Sequence, residues 1–107
     1  MEDTLLAITE AIVRAVAPAQ IVLFGSRARG SASPDSDIDL MVIEDAPFGS
    51  TRSRRAETAR ILKALSGFRV PVDVLVYARE EVERWRTAPG HVIERAVREG
   101  RTLHARA

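Results

Sequence analysis

The sequence predicts an α/β (α+β) fold in which helices pack on a small antiparallel or mixed β-sheet. Two observations carry that prediction. Stretches with apolar residues at helical spacing alternate with short, β-branched apolar runs of strand length, in the order α-β-α-β-α-α followed by a last short strand. The 107 residues, 46% hydrophobic and 29% charged, suffice for one modest core and are too apolar for a disordered chain. We therefore read residues 1–107 as one domain.

Each element has its own signal. Asp3-Thr4 offers an N-cap, and Leu5, Ile8, Ile12, Val13 and Val16 give the spacing of a first helix, which Pro18 ends. Gln20-Ile21-Val22-Leu23-Phe24, closed by Gly25, is a buried strand. Between Gly25 and Ser36, glycines, serines and Pro34 mark a connection with space for one helical turn around Arg27-Ala28-Arg29, and Asp35 reads as a solvated turn former. Asp37-Ile38-Asp39-Leu40-Met41-Val42-Ile43 alternates and then becomes continuously apolar, which describes a strand with acids at its opening edge. Glu44 to Ser50 is a loop. Thr51 to Leu65 is an amphipathic helix with Ala59, Leu62 and Leu65 as its apolar residues and Arg52, Arg54, Arg55 and Arg60 on a solvated face. Val70 to Tyr77 is a third strand, interrupted by Asp73, and Pro71 puts it at an edge or marks its first residue. Glu80 to Arg86 is a short charged helix, and Pro89-Gly90 introduces a last one, His91 to Glu99, striped by Val92, Ile93, Ala96 and Val97. Arg101 to Ala105 adds an edge strand. Tyr77 and Trp85 read as core or subunit-contact residues, and His91 as a helix cap or surface residue.

Composition excludes several classes of function. Without Cys there is neither a disulfide framework nor a thiolate metal site, and His91 and His104 alone do not make a zinc site. The start Met1-Glu2-Asp3 is acidic where a signal peptide is basic, and no apolar run approaches the ~20 residues of a membrane span. The expectation is a cytoplasmic protein with no membrane contact. A formal charge of +1 does not point to direct nucleic-acid binding. Lys63 is the only lysine, so the positive charge is nearly all guanidinium, suited to phosphate or carboxylate; a codon preference for Arg accounts for the bias equally well.

One constellation carries chemistry. Asp37 and Asp39 stand two apart on a strand, so their carboxylates share a face about 7 Å apart along the backbone. Like charges so placed repel unless a cation lies between them, and Asp73, within Val72-Asp73-Val74, needs a partner as well. Oxygen ligands without His or Cys point to Mg²⁺ or Mn²⁺ rather than zinc. Upstream, Phe24-Gly25-Ser26 ends a strand with backbone N–H groups and a hydroxyl open to an anion, and Gly25 lets a phosphate approach the main chain. Ten residues separate Ser26 from Asp37, enough to return the chain and set both features at one rim.

Gly25-Ser26, the ten-residue gap, Asp37-Ile38-Asp39 and the isolated strand residue Asp73 resemble the signature of the nucleotidyltransferase superfamily of DNA polymerase beta. The longer strings Phe24-Gly25-Ser26-Arg27-Ala28-Arg29-Gly30 and Ser36-Asp37-Ile38-Asp39-Leu40 are similar to those of its smallest members, the minimal nucleotidyltransferases that act as antitoxins to HEPN-domain toxins. The likeness is centred on Leu23 to Val42 and, with the Asp73 strand and Glu99-Gly100-Arg101, covers most of the chain. It implies a polymerase-beta-like fold, two Mg²⁺ ions or Mn²⁺ in their place, ATP as substrate, and transfer of AMP to a hydroxyl with release of pyrophosphate. It further implies that Asp37 and Asp39 hold both metals and that Asp73 ligates the one activating the acceptor and helps take its proton. Gly25 and Ser26 then hold the β- and γ-phosphates, Arg27 or Arg29 neutralises phosphate charge, and Ser36 bonds the loop backbone or orients an acid. The implied acceptor belongs to a partner protein, a HEPN-type toxin, in a hetero-complex or oligomer.

Competing motifs fail on spacing. Asp35-x-Asp37-x-Asp39 opens like an EF-hand loop, but Leu40 stands where Gly is needed and Ala46 where the bidentate Glu is needed. No Gly-Lys-Ser/Thr follows Gly25, as a P-loop requires. Two other functions stay open: an antitoxin or accessory subunit that binds its partner without catalysis, and transfer to a small molecule such as an aminoglycoside. No residue reads as a determinant of base specificity.

Overall fold

The computed structural model describes residues 2–31 and 36–106. Four strands, β1 (Gln20–Phe24), β2 (Ile38–Glu44), β3 (Val72–Ala78) and β4 (Arg101–Ala105), lie in the order β3-β2-β1-β4. β1 runs antiparallel to β2 and β4, whereas β2 and β3 are parallel. The connections explain the mixture: a short return joins β1 to β2, while the crossover through residues 45–71 carries a helix, as a parallel pair requires. Of the two expected arrangements, the small mixed sheet with helices packed on it is what forms.

Strand alternation divides the core in two. Ile38, Leu40 and Val42 point to the side covered by α1 (Glu2–Val16) and α3 (Arg54–Ala64), where they meet Ile8, Ile12 and Ile61. Met41 and Ile43 point to the other side and meet Val82 of α4 (Arg79–Trp85) and Ile93 and Ala96 of α5 (Val92–Glu99). Coverage of both faces is why β1 and β2 read as continuous apolar runs. Each fully buried Ile or Leu stabilises the fold by roughly 1.5–3 kcal/mol. The remaining helix, α2 (Ser26–Arg29), is a single turn at the end of β1.

Several elements differ from expectation. α3 begins at Arg54 rather than Thr51, because Ser53 Oγ accepts the Ala56 N–H at 3.1 Å and caps the helix there. Its buried positions are Ile61 and, just past its end, Leu65; Ala59 and Leu62 are exposed. A spacing of three slips about 60° around a helix at each step, so Ala59, Leu62 and Leu65 do not share a face. Nor are its arginines a uniformly solvated face. Arg54 Nη1 donates to the Val76 carbonyl at 2.7 Å and to Glu81 at 2.9 Å, and its guanidinium lies over Phe48 and Tyr77. Trp85 remains 40% exposed and stacks on His91 with ring centroids 4.8 Å apart, so it does not complete the core. His91 is indeed a cap, its Nδ1 accepting the Ile93 N–H at 3.0 Å. Val97 is exposed, while Tyr77 packs part-buried against the second cluster. β2 starts at Ile38, which leaves Asp37 just ahead of the strand, and β3 is an edge strand with Pro71 before its first residue. The turn-forming role of Asp35 falls outside the described residues.

Glu44 ends β2 instead of opening a loop, and it is buried. Arg52 forms an ion pair with it and Glu57 of α3 faces it. Burial first, then hydrogen bonding and charge from Glu57, push Glu44 up to about 7 against the pull of Arg52. Its Oε2 meets no donor among the described residues, so the place for a proton is between the two carboxylates. A folded-state pKa above the ordinary 4.5 means that the folded protein holds this proton more tightly. The stabilisation is fully present below about 4.5 and is lost as pH rises through about 7. Thermal melts from acid to mildly alkaline pH should show Glu44→Gln flattening that decline; a variant whose pH profile superimposes on the parent's would refute the assignment.

Candidate active site

The site forms at the sheet end where β1 stops and β2 and β3 begin. In the ladder Phe24 pairs with Asp39, and Asp39 pairs with Asp73. Residues directly opposite one another present side chains on one face, here the α4/α5 face shared with Met41 and Ile43. Asp37 has the same parity one step beyond the strand. Asp39 is half-buried, and Asp37 and Asp73 are exposed. The Asp39 carboxyl is held above the usual carboxylate range by burial first, then by the charges of Asp73 and Asp37 and by a hydrogen bond with Asp73, while Arg95 of α5 pulls the other way. Two carboxylates in hydrogen-bond contact require either a shared proton or a cation.

Gly25 is required beside them. Its φ of +75° lies where side-chain-bearing residues are strained, and a Cβ there would overlap Asp39 Oδ2. The main chain can thus turn out of β1 while touching the acid. Ser26 then opens α2, whose turn is closed by the Arg29 N–H bonding Gly25 O at 3.2 Å and stopped by Gly30 in the left-handed conformation. The leading N–H groups of such a turn have no acceptor within it.

The remaining expected residues hold this loop together. Arg27 Nη2 donates to Ser36 O at 2.6 Å, tying α2 to the residue before Asp37. Arg29 Nη1 meets Glu99 Oε1 at 3.1 Å, tying α2 to the end of α5. The structure therefore brings Gly25, Asp39 and Asp73 together with Asp37 at the rim, and joins Arg27 to Ser36 and Arg29 to Glu99. Sequence reasoning gave no role to Arg95 and counted Glu99 only as part of the C-terminal likeness. Their signal was the spacing of four between them, but spacing does not say which flank of a helix faces the acids.

Among the described residues no three His, Cys, Asp or Glu side chains form a ready-made metal cluster. The fit to a metal rests on the Asp39–Asp73 pair, an all-oxygen set whose mutual repulsion a hard divalent cation relieves. Among the same residues no helix is long and apolar enough to cross a membrane.

The chain matches the family model of the nucleotidyltransferase domain over residues 5–103. No curated protein matches it. Among solved structures it is similar to a "crystal structure of the toxin-antitoxin with AMP-PNP", with a TM-score of 0.57 and 22% identity, over 94% of this chain and 73% of that one. At that identity the likeness bears on fold, and the four-stranded mixed sheet with the five helices of the described residues agrees with the polymerase-beta-like arrangement that the signature implies. Because the family match runs from Leu5 in α1 to Leu103 in β4 and takes in every residue of the site, this chain belongs to the nucleotidyltransferase domain family.

Proposed function

We propose that this chain is a metal-dependent nucleotidyltransferase that moves AMP from ATP onto a hydroxyl of a partner protein, and that it acts as an antitoxin by modifying a HEPN-type toxin. The observation carrying the reading is the Asp39–Asp73 pair packed against the Gly25 main chain, a donor set that a cation would complete at the place where the family's signature residues meet. The similarity to a toxin–antitoxin structure with AMP-PNP supports both the nucleotide and the partner.

In this reading Asp37 and Asp39 would hold two Mg²⁺ ions, or Mn²⁺, and Asp73 would ligate the one that activates the acceptor. Bound divalent ions supply neutralisation of the triphosphate and a lowered pKa for the acceptor hydroxyl. The Gly25 main chain and the Ser26 hydroxyl hold the β- and γ-phosphates, Arg27 and Arg29 add positive charge from α2, and Ser36 steadies the approach to Asp37. The acceptor oxygen bonds to the α-phosphorus as the bond from that phosphorus to the bridging oxygen breaks. Pyrophosphate leaves with the electron pair, and the hydroxyl proton passes to Asp73.

Incubation with ATP labelled at its α-phosphate, Mg²⁺ and the protein encoded beside it should label that protein and release pyrophosphate, and a chelator should stop both. A folded, associated pair that takes up no label would overturn catalysis and favour an antitoxin that works by binding alone.

A further inference from the structure

We infer that Arg95 is a triphosphate-binding residue of this site, presented to it by α5 and kept in place by the Arg29–Glu99 ion pair. The inference rests on the proposed function and adds a residue to it.

Three features fix where Arg95 stands. α5 packs on the face that carries Asp39 and Asp73, with Ile93 and Ala96 fully buried in the cluster that includes Phe24 and Met41. That sets the rotation of the helix, and Arg95 and Glu99, one turn apart, share a flank. Glu99 on this flank reaches Arg29 of α2, directly after Gly25-Ser26, so the flank overlooks the rim of the site. Gly100 lets the end of α5 sit close on β1: a Cβ there would collide with the Val22 side chain, as well as with the helix's own Ala96 carbonyl. In accord with this placement, the charge of Arg95 is felt at Asp39 and works against its acidic neighbours.

Charge and chemistry say what Arg95 would bind. Arg29 is engaged with Glu99 and Arg27 with the Ser36 carbonyl. Arg95 is exposed and takes part in no ion pair among the described residues. A guanidinium on the flank that overlooks carboxylates themselves suited to a metal is positioned for the oxygen-rich anion that arrives with the metal, and its planar fork matches two phosphate oxygens.

The test is calorimetric titration with Mg²⁺-AMP-PNP and, separately, with AMP. Arg95→Ala should weaken AMP-PNP binding about ten- to a hundredfold, the loss of a charged hydrogen-bonded contact, while leaving AMP within about twofold. Arg95→Lys should recover part of the loss. Glu99→Gln should give a smaller loss of the same kind, since it frees α2 from α5. Removing a positive charge beside Asp39 favours cation binding there, so weaker AMP-PNP binding would not reflect a lost metal. AMP-PNP binding by Arg95→Ala equal to the parent's, or parallel losses for AMP-PNP and AMP, would overturn the inference. Failure of the parent itself to bind AMP-PNP would instead overturn the proposed function.

Discussion

Asp39→Asn should abolish nucleotide transfer and leave the protein at least as stable as its parent. The two halves of that expectation have one cause. Burial and the charges of Asp73 and Asp37 hold the Asp39 carboxyl above its ordinary range. A raised folded-state pKa contributes stability only while the group is protonated, and that contribution is lost as pH rises through the folded value. Where it is ionised, the group is therefore a source of strain, which an amide of the same shape removes while still able to donate to Asp73. For the proposed reaction the same carboxylate is indispensable, and its loss should lower the rate at least about a thousandfold, equivalent to roughly 4 kcal/mol. Initial rates of labelling and thermal melts on the same preparation measure both. Added Mg²⁺ should raise the parent's melting temperature more than the variant's, because the variant has lost the carboxylate that faces both Asp73 and Asp37. Residual activity within tenfold of the parent, or a variant that melts well below it, would contradict this account.

The second large effect belongs to Gly25→Ala. A side chain at φ 75°, ψ −158° costs about 1–3 kcal/mol in backbone strain, and the new Cβ would occupy the space of Asp39 Oδ2. Asp39 lies on a central strand and cannot retreat with its backbone, so its carboxylate must swing off Asp73. We expect a fall in melting temperature of roughly 4–8 °C per kcal/mol for a chain of this size, with transfer reduced at least about a hundredfold. The double variant Gly25→Ala, Asp39→Ala separates the two costs. With the carboxylate gone the overlap disappears, so the stability losses should be less than additive by about 1 kcal/mol. Strict additivity would mean that the glycine is needed for its torsion angle alone.

What was legible in the sequence follows how local each signal is. β1 and β4 appear with their anticipated bounds because each is a short apolar or alternating run closed by glycine on one side. Gly25, Ser26, Asp37 and Asp39 lie within one strand–loop–strand passage, so their convergence could be read from spacing. Asp73 was visible only as an acid where a strand should be apolar; its partner is chosen by the parallel register of β2 and β3, which no local pattern states. The failures have the same origin. Which stripe of α3 turns inward, which flank of α5 overlooks the acids, and that Glu44 is buried against Glu57 are decisions of tertiary packing. Of the two readings of Trp85, core or subunit contact, only the core one is excluded, because residue type does not say that the ring stacks on His91 at the surface.

The pairing of Asp39 with Asp73 has a further consequence for how the molecule comes into being. Its two strands are separated by the whole crossover through residues 45–71, so the pair is absent from either half of the chain alone. A register slip of one residue would send Asp73 to the α3 side of the sheet, and a slip of two would carry it about 7 Å along the strand. Neither error leaves a weakened version of the acid pair. The non-local step that is slowest in a fold of this kind is also the one that assembles the acids. On the proposed function, unfinished or misregistered molecules are therefore inert, and competence arrives together with the completed sheet.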